Sequence, residues 1–364
     1  DGSSLIFALP AAQHAAWLKE DDPELFERVR DLVAQGRIVP VGGMWVEPDA
    51  VLPGGEAMCR QLVEGLDFFE IWLPDSFGYS AALPQIAREA GIERFLTQKI
   101  SWNQVNTFPH HTLLWEGIDG SRIFTHFPPM DTYGAEVTGQ NLTHAVENFK
   151  DKGHASVSLM PFGYGDGGGG PTREMLERID RFSSLRGAPE VVMETPKQFF
   201  DRAREDADQI PVWVGELYLE LHRGTFTSQI DVKQGNRRGE SILRETELWC
   251  SYAAVKGLMD YPYEELRSYW RTLLLCQFHD ILPGTSIAWV YREVRELHQK
   301  IQDGCEALIQ RALAALTGAQ ETGQARALLA NASSFPLHGV SPLSAGVACE
   351  EKDTAGVHLL QVED

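Results

Sequence analysis

Two aspartates of this sequence follow apolar segments at points where a chain commonly leaves a β-strand. Asp75 ends the run 71–74, and Asp166 lies among glycines after the apolar segment 156–161. Ligands of parallel α/β sheets bind at the loops that follow the carboxyl ends of strands, so carboxylates at these positions predict a polar site. Two carboxyl groups in different surroundings can divide the roles of nucleophile and acid/base, the usual arrangement for cleaving a glycosidic bond.

Each of these loops also fits another interpretation. Asp75 could cap the helix predicted over 81–89, since Asp is a favoured N-cap and turn residue. The glycines around Asp166 let backbone approach a ligand closely, but the lysine and hydroxyl of a phosphate-binding loop are missing and Asp166 would repel phosphate. The polar loop 42–49, with Glu47 and Asp49, fits either the ligand face of a sheet or a surface turn.

The histidines of the sequence are candidate metal ligands. His279 and Asp280 stand just before a Pro-Gly break, at the predicted end of a helix over 263–280. A metal ion held by Asp and His would orient substrate oxygens, whereas a histidine at a helix carboxyl end can also serve packing or the helix dipole. His110 and His111 are adjacent in a predicted strand and face opposite sides, so we interpret them as structural or rim residues.

The elements that must position these residues alternate along the first 210 residues. Strands are predicted at 5–9, 38–41, 71–73, 94–97, 156–161 and 190–193, and a pair of strands surrounds the turn 118–121. Helices are predicted between them at 23–35, 54–69, 81–89, after 172, and at 196–205. The join between the second helix and the strand at 71 is short for a reversal of direction.

The character of the sequence changes beyond residue 211. Three long amphipathic helices, at 232–257, 263–280 and 287–317, predict an antiparallel bundle, and the tail alternates like β-strands. We therefore predict an α/β fold, with a parallel-stranded (β/α) barrel-like catalytic domain over 1–210. A three-helix bundle over 211–322 and the start of a β-sandwich domain over 323–364 complete the prediction.

Composition limits the partners. The 364 residues contain 32 basic and 52 acidic side chains, a net charge of −20, which repels nucleic acids and anionic membranes. A neutral or cationic ligand, or a metal, fits better. No apolar run has the length of a membrane helix, and no signal sequence opens the chain. The five cysteines form no Cys-x-x-Cys pair, which favours reduced thiols and a cytoplasmic location.

Several long strings of this sequence resemble one known family in the same order along the chain. The family is the α-mannosidases of glycoside hydrolase family 38, in particular their cytosolic and bacterial branch. The strings lie at 41–49, 72–80, 165–171, 220–225 and 278–280. Collinear agreement of this kind is far more specific than any single glycine motif.

The resemblance implies a retaining mechanism with a covalent glycosyl-enzyme intermediate. Asp75 would be the catalytic nucleophile and a zinc ligand, Asp166 the general acid and base, and His279 a second zinc ligand, with cobalt as an alternative metal. Asp280 would contact sugar hydroxyls. The resemblance places three further residues in the sugar pocket, Phe77, Lys99 and Tyr133. Retention requires the two catalytic carboxyls to lie about 5–5.5 Å apart.

The family also supplies zinc ligands from a His-x-Asp motif that does not occur in this sequence, so we expect a chain truncated at both ends. One hypothesis is a zinc-assisted α-mannosidase that acts on mannose-containing oligosaccharides. A second is a truncated, inactive relative that only binds mannosides or a partner subunit. A third, a metal-dependent deacetylase on a similar barrel, fits the Asp166 loop less well. Linkage specificity and a homo-oligomeric state are left open.

Overall fold

Strands and helices are interspersed up to residue 126, helices follow over 139–206, and long helices lie from residue 230 onward. The computed structural model describes residues 4–65, 70–317, 328–336, 340–352 and 358–363. The chain divides into two compact units, the first formed by 1–237 with 271–295 and the second by 238–270 with 296–364. We describe each unit by itself.

The elements of the described chain are numbered in sequence order. The strands are β1 (Phe7–Leu9), β2 (Ile38–Pro40), β3 (Glu70–Trp72), β4 (Arg94–Leu96), β5 (Thr112–Glu116), β6 (Arg122–His126), β7 (Val212–Val214), β8 (Leu328–Asn331), β9 (Ser344–Lys352) and β10 (His358–Glu363). The helices are α1 (Ala12–Asp21), α2 (Pro23–Ala34), α3 (Gly55–Gly65), α4 (Leu83–Glu89), α5 (Gly139–Asn148), α6 (Arg173–Phe182), α7 (Pro196–Asp206), α8 (Ile230–Val255), α9 (Tyr263–Cys276) and α10 (Ala288–Thr317).

The first unit is built on a mixed sheet. Within the described residues its strand order is β3-β4-β6-β5-β7, and β5 and β6 are the antiparallel pair. The pairs β3–β4, β4–β6 and β5–β7 are parallel, with Ile71 opposite Phe95 and Phe95 opposite Thr125. A separate parallel pair joins β1 and β2. The α/β class and the strand pair around 118–121 are thus confirmed.

Both faces of this sheet are buried. Successive residues of β3, β4 and β6 alternate between the two faces, as the period of a strand requires. One face carries Ile71, Phe95 and Ile123 and packs against α3 and α4 through Met58, Leu62, Leu83 and Ala87. The other carries Trp72, Leu96 and Phe124 and packs against Phe199, Phe200 and Ala203 of α7. Burial on both sides explains why these strands read as continuous apolar runs.

The parallel direction of β3, β4 and β6 determines where the polar loops emerge. Their carboxyl ends lie at the same edge of the sheet. The loops that follow carry Asp75 after β3, Lys99 after β4 and Tyr133 after β6. Three candidate residues are therefore brought to one edge by strand direction alone.

Two predicted strands are wrong. Residues 156–161 and 190–193 do not form strands, and α1 was not predicted. In the first segment, backbone N–H groups bond to side chains instead of a neighbouring strand: Ser156 N donates to Asp206 Oδ2 and Leu159 N donates to His126 Nε2. The short join before residue 71 involves 66–69, which lie outside the described residues.

The second unit contains parts of the three long helices and the terminal strands. The three predicted helices are confirmed as α8, α9 and α10, whose bounds differ from the prediction by a few residues. In this unit Trp270 Nε1 of α9 donates to Glu247 Oε1 of α8 at 2.9 Å. Gly304 lets α10 approach α9, because a Cβ there would lie 2.2 Å from the Tyr269 hydroxyl. The strands pair antiparallel in the order β10-β9-β8.

Among the described residues, no helix combines the length and apolar composition that a membrane span requires. Cys59, Cys250, Cys276 and Cys305 are free thiols.

The buried His126 makes the free energy of unfolding depend on pH. It ends β6 with 0% of its surface exposed, and burial lowers its pKa to about 3. Nδ1 contacts Thr112 Oγ1 at 3.1 Å, while Nε2 accepts from Leu159 N at 3.2 Å. A depressed folded-state pKa means that its stabilising contribution is present above the unfolded-state value of 6.5 and is lost as pH falls.

Between pH 7.5 and pH 5 we expect His126 to account for a loss of about 2 kcal/mol in the free energy of unfolding, at about 1.4 kcal/mol per pH unit below its unfolded pKa. Urea unfolding at both pH values measures it. The variant His126→Gln should be less stable at pH 7.5 but lose about that much less on acidification. Equal losses for the parent and the variant would contradict the assignment.

Candidate functional site

The loop after β3 holds Asp75 by contacts on both of its sides. Ser76 Oγ donates to Pro48 O at 2.7 Å, and Tyr79 Oη donates to Leu73 O at 2.7 Å. Helix α4 begins at Leu83 with Ala82 as its N-cap. The alternative that Asp75 caps this helix is therefore wrong. Its carboxylate instead pairs with Lys99.

Lys99 is the cation that faces Asp75. It opens a short 3₁₀ turn, Lys99–Trp102, after β4, and its side chain is only 3% exposed. Lys99 Nζ lies 2.5 Å from Asp75 Oδ1. The ammonium also lies 4.9 Å from the Phe77 ring centroid and 3.7 Å from the Trp102 ring centroid. Carboxylate and aromatic rings together compensate for removing this charge from water.

His279 approaches the other oxygen of Asp75. Helix α9 ends at Cys276, so His279 lies just beyond the helix, whereas the prediction had extended the helix to residue 280. Its Nδ1 is 2.9 Å from Glu47 O, and its backbone N donates to the same carbonyl at 3.1 Å. A ring nitrogen this close to a carbonyl carries a proton, and the other ring nitrogen, Nε2, lies 3.7 Å from Asp75 Oδ2.

The loop that contains Glu47 and Asp49 belongs to the site and is not a simple surface turn. Burial, and secondarily the charge of Asp75, raises the pKa of the Glu47 carboxyl to about 8. Burial also raises the pKa of Asp49, whose Oδ1 accepts hydrogen bonds from Val51 N and Leu52 N. Asp49 therefore shapes the loop, while Glu47 adds a second acid beside Asp75.

Asp166 is held by Tyr133. Tyr133 Oη donates to Asp166 Oδ1 at 2.9 Å. Gly165 allows this approach, because a Cβ there would lie 2.7 Å from Tyr133 Cε2. Burial raises the pKa of Tyr133, and the charges of Asp75, Asp166 and Asp280 raise it further. Tyr133 thus contacts Asp166 directly and also feels the charges of Asp75 and Asp280.

Two more polar residues complete the cluster. Asp280 Oδ1 accepts a hydrogen bond from Thr285 Oγ1 at 2.5 Å. The His222 ring centroid lies 4.9 Å from that of Phe77. Burial and then the charge of Lys99 lower the pKa of His222, while Asp75 and Asp280 oppose that shift.

The structure brings Asp75, Phe77, Lys99 and His279 into direct contact, and it links Asp166 to Tyr133. Sequence reasoning did not identify His222 or Trp102 as site residues. His222 lies in the motif 220–225, and Trp102 follows Lys99 by three residues, so these two features of the sequence could have indicated them. His110 and His111 bond instead to Asp151 and to Lys150 N, which is the structural role predicted for them.

Asp75 and His279 have the geometry of two ligands of one metal ion. Zinc bonds to nitrogen and oxygen measure about 2.0–2.2 Å, so two of them can bridge the 3.7 Å between Asp75 Oδ2 and His279 Nε2. The bond from His279 Nδ1 to a backbone carbonyl is the usual support of a ligating histidine. Among the described residues, however, no group of three His, Cys, Asp or Glu side chains could hold an ion. The described residues alone do not make a complete zinc site.

A cavity of about 690 Å³ lies beside the cluster. Tyr133 and Gly165 line it together with mostly apolar side chains, whereas Asp75, Lys99 and His279 do not. The charged cluster and this cavity are therefore different features, with Tyr133 common to both. We therefore identify the candidate site by the charged cluster of Asp75, Lys99 and His279 and not by the volume of the cavity.

Comparisons with known proteins give a consistent result. Residues 1–216 match the family model for the N-terminal domain of glycosyl hydrolases family 38, and residues 220–316 match that for the alpha mannosidase middle domain. Alpha-mannosidase 2C1 of Homo sapiens is 47% identical over 90% of this chain, and alpha-mannosidase of Saccharomyces cerevisiae is 40% identical over 83%. The chain spans only 32% and 30% of the length of these relatives.

A solved structure shows the same fold. The alpha-mannosidase from Enterococcus faecalis V583 superimposes with a TM-score of 0.76 at 21% identity, over 92% of this chain and 41% of that one. At this identity the likeness concerns the fold alone.

The contact between Asp75 and Lys99 predicts a strong energetic coupling. A cycle of Asp75→Asn, Lys99→Met and the double variant should give a coupling free energy of about 1–3 kcal/mol, because either charge left alone is poorly hydrated. Urea unfolding measures each variant. The exposed pair Glu27 and Arg30, changed to Gln and Met, is the matched control and should give a coupling near zero. Equal coupling in the two cycles would show that the Asp75 pair behaves as a surface pair.

Proposed function

The chain belongs to glycoside hydrolase family 38, and from that premise we propose that it hydrolyses terminal α-linked mannose from oligosaccharides. The relatives named alpha-mannosidase support the substrate class. The observations that support the proposal are the contacts of Asp75 with Lys99 and His279 and the hydrogen bond by which Tyr133 holds a second carboxylate, Asp166. Two carboxyl groups in different surroundings are what glycoside cleavage uses.

The proposed reaction retains the anomeric configuration. Asp75 attacks the anomeric carbon while Asp166 gives its proton to the leaving oxygen, and a glycosyl ester on Asp75 forms. Asp166 then takes a proton from water, which attacks the same carbon and releases mannose and free Asp75. Lys99 fixes Asp75 in orientation through Oδ1, and Tyr133 fixes Asp166 through Oδ1.

We also propose that Asp75 and His279 supply two ligands to a zinc ion, with cobalt as an alternative. Such an ion would orient and polarise substrate hydroxyls. The 3.7 Å separation and the Glu47 carbonyl behind His279 support this pair. Because the described residues offer no group of three such ligands, no step of the proposed reaction is assigned to the metal.

A second candidate follows from the same observation. The same carboxylates and Lys99 could bind mannosides, or the chain could bind a partner subunit, without a bond being cleaved. A cytoplasmic location and a homo-oligomeric state stay predictions.

Hydrolysis of an aryl α-mannoside, with added zinc or cobalt, tests the proposed activity. Asp75→Asn should abolish turnover because the nucleophile is lost. Asp166→Asn should lower kcat/KM by about 10²–10⁴ for a sugar leaving group, and far less for dinitrophenolate, which needs no proton. Asp180→Asn, an exposed change on α6, is the matched control and should be neutral. Binding of mannosides without turnover by the parent would instead support the second candidate.

Zinc content at equilibrium against a fixed concentration of free zinc tests the metal proposal separately. The parent should bind more zinc than His279→Ala, because only one of the two proposed ligands remains in the variant. The variant His144→Ala, which removes an exposed histidine bonded to Asp131, should retain the parent's content. Equal zinc in all three proteins would refute the assignment of His279.

A further inference from the structure

Trp102 is an exposed indole beside the charged cluster. It ends the 3₁₀ turn that begins at Lys99, and 37% of its surface is accessible. Its position is fixed, because Nε1 donates to Asp131 O at 2.9 Å. A hydrogen-bonded, exposed ring at a polar site can provide contact area for a ligand.

One face of this ring is already used. Lys99 Nζ lies 3.7 Å from the ring centroid and 2.5 Å from Asp75 Oδ1. A single ammonium therefore separates the indole from the carboxylate that we propose as nucleophile. The ammonium contacts one face of the ring, and 37% of the surface of the residue is nonetheless accessible.

The bond to Asp131 ties Trp102 to the Asp166 side of the site. Asp131 adopts a positive φ of 58°, and its Oδ2 accepts from Asn148 Nδ2 at 2.9 Å and contacts His144 Nε2 at 3.0 Å. Two residues later Tyr133 donates to Asp166. One anchored segment thus positions both the indole and the proposed proton donor. The leaving group must lie where that donor can reach its oxygen.

We propose that Trp102 is a stacking platform for the sugar of the leaving group. This inference rests on the proposed function and adds to it a preference for a carbohydrate leaving group. A pyranose presents a face of C–H groups, which gains contact and loses hydration when it lies on an aromatic ring. The platform would thus bind the sugar next to the cleaved mannose without taking part in the bond changes.

Two substrates separate this role from support of Lys99. Mannosyl-α-mannose has a sugar leaving group, whereas α-mannosyl fluoride releases fluoride, which is too small to stack and needs no proton. In Trp102→Ala we expect kcat/KM for the disaccharide to fall about tenfold or more, mainly through KM. The loss for the fluoride should be at least about fivefold smaller, because only an effect through Lys99 reaches that substrate. Trp102→Phe, which keeps a ring, should recover most of the loss.

The matched control is Trp289→Ala. Trp289 is 62% exposed, and its Nε1 donates to Glu293 Oε1, so this variant also deletes an exposed, hydrogen-bonded indole. It should leave both substrates unaffected. Equal losses on both substrates in Trp102→Ala would mean that the ring acts through Lys99 and Asp75, and no loss on either would mean that no sugar stacks on it. Both results overturn the platform. A parent that cleaves neither substrate refutes the proposed function itself.

Discussion

The buried ion pair between Asp75 and Lys99 is the interaction on which the site depends. Lys99 is almost fully removed from water, and its charge is tolerable only because a carboxylate and two aromatic rings surround it. Those partners come from the loops after β3 and β4, so the pair holds the two loops together. A bond from Gln98 Nε2 to Pro74 O at 3.1 Å supports the same contact. Moving either loop would leave a charge unpaired in a poorly hydrated place.

The direction of the strands and one long-range contact position the other residues of the site. The parallel strands β3, β4 and β6 direct their following loops to one edge of the sheet. His279 arrives from beyond α9 and is fixed by the Glu47 carbonyl, a residue 232 positions away in the sequence. The sheet therefore brings the loops of Asp75 and Lys99 to one edge. The contact between the loop after β2 and the segment after α9 adds His279 to them.

Burial, and after it the charge of neighbouring carboxylates, decides the protonation of Glu47 and Tyr133. Burial and the charge of Asp75 raise the pKa of Glu47 to about 8, so this carboxyl is mostly neutral at pH 7. Tyr133 likewise stays a hydroxyl, because burial and the surrounding carboxylates raise its pKa. The result is a cluster of hydrogen-bond donors and acceptors with few positive charges. Such a cluster suits a neutral ligand rich in hydroxyl groups better than a phosphate.

Local patterns in the sequence determined most of the elements. Apolar runs gave β3, β4 and the pair β5–β6, and the 3.6-residue period gave α8, α9 and α10, because each pattern depends on neighbouring residues. Local patterns also singled out Asp75, Asp166 and the pair His279–Asp280, and the family resemblance added Phe77, Lys99 and Tyr133 as pocket residues. The pattern of 156–161 wrongly predicted a strand, because its N–H groups bond to His126 and Asp206 instead. Only the tertiary structure decided that Lys99 pairs with Asp75, that Tyr133 holds Asp166 and that Trp102 stays exposed beside them. Such contacts join residues far apart in the chain, and the packing of the whole unit brings them together.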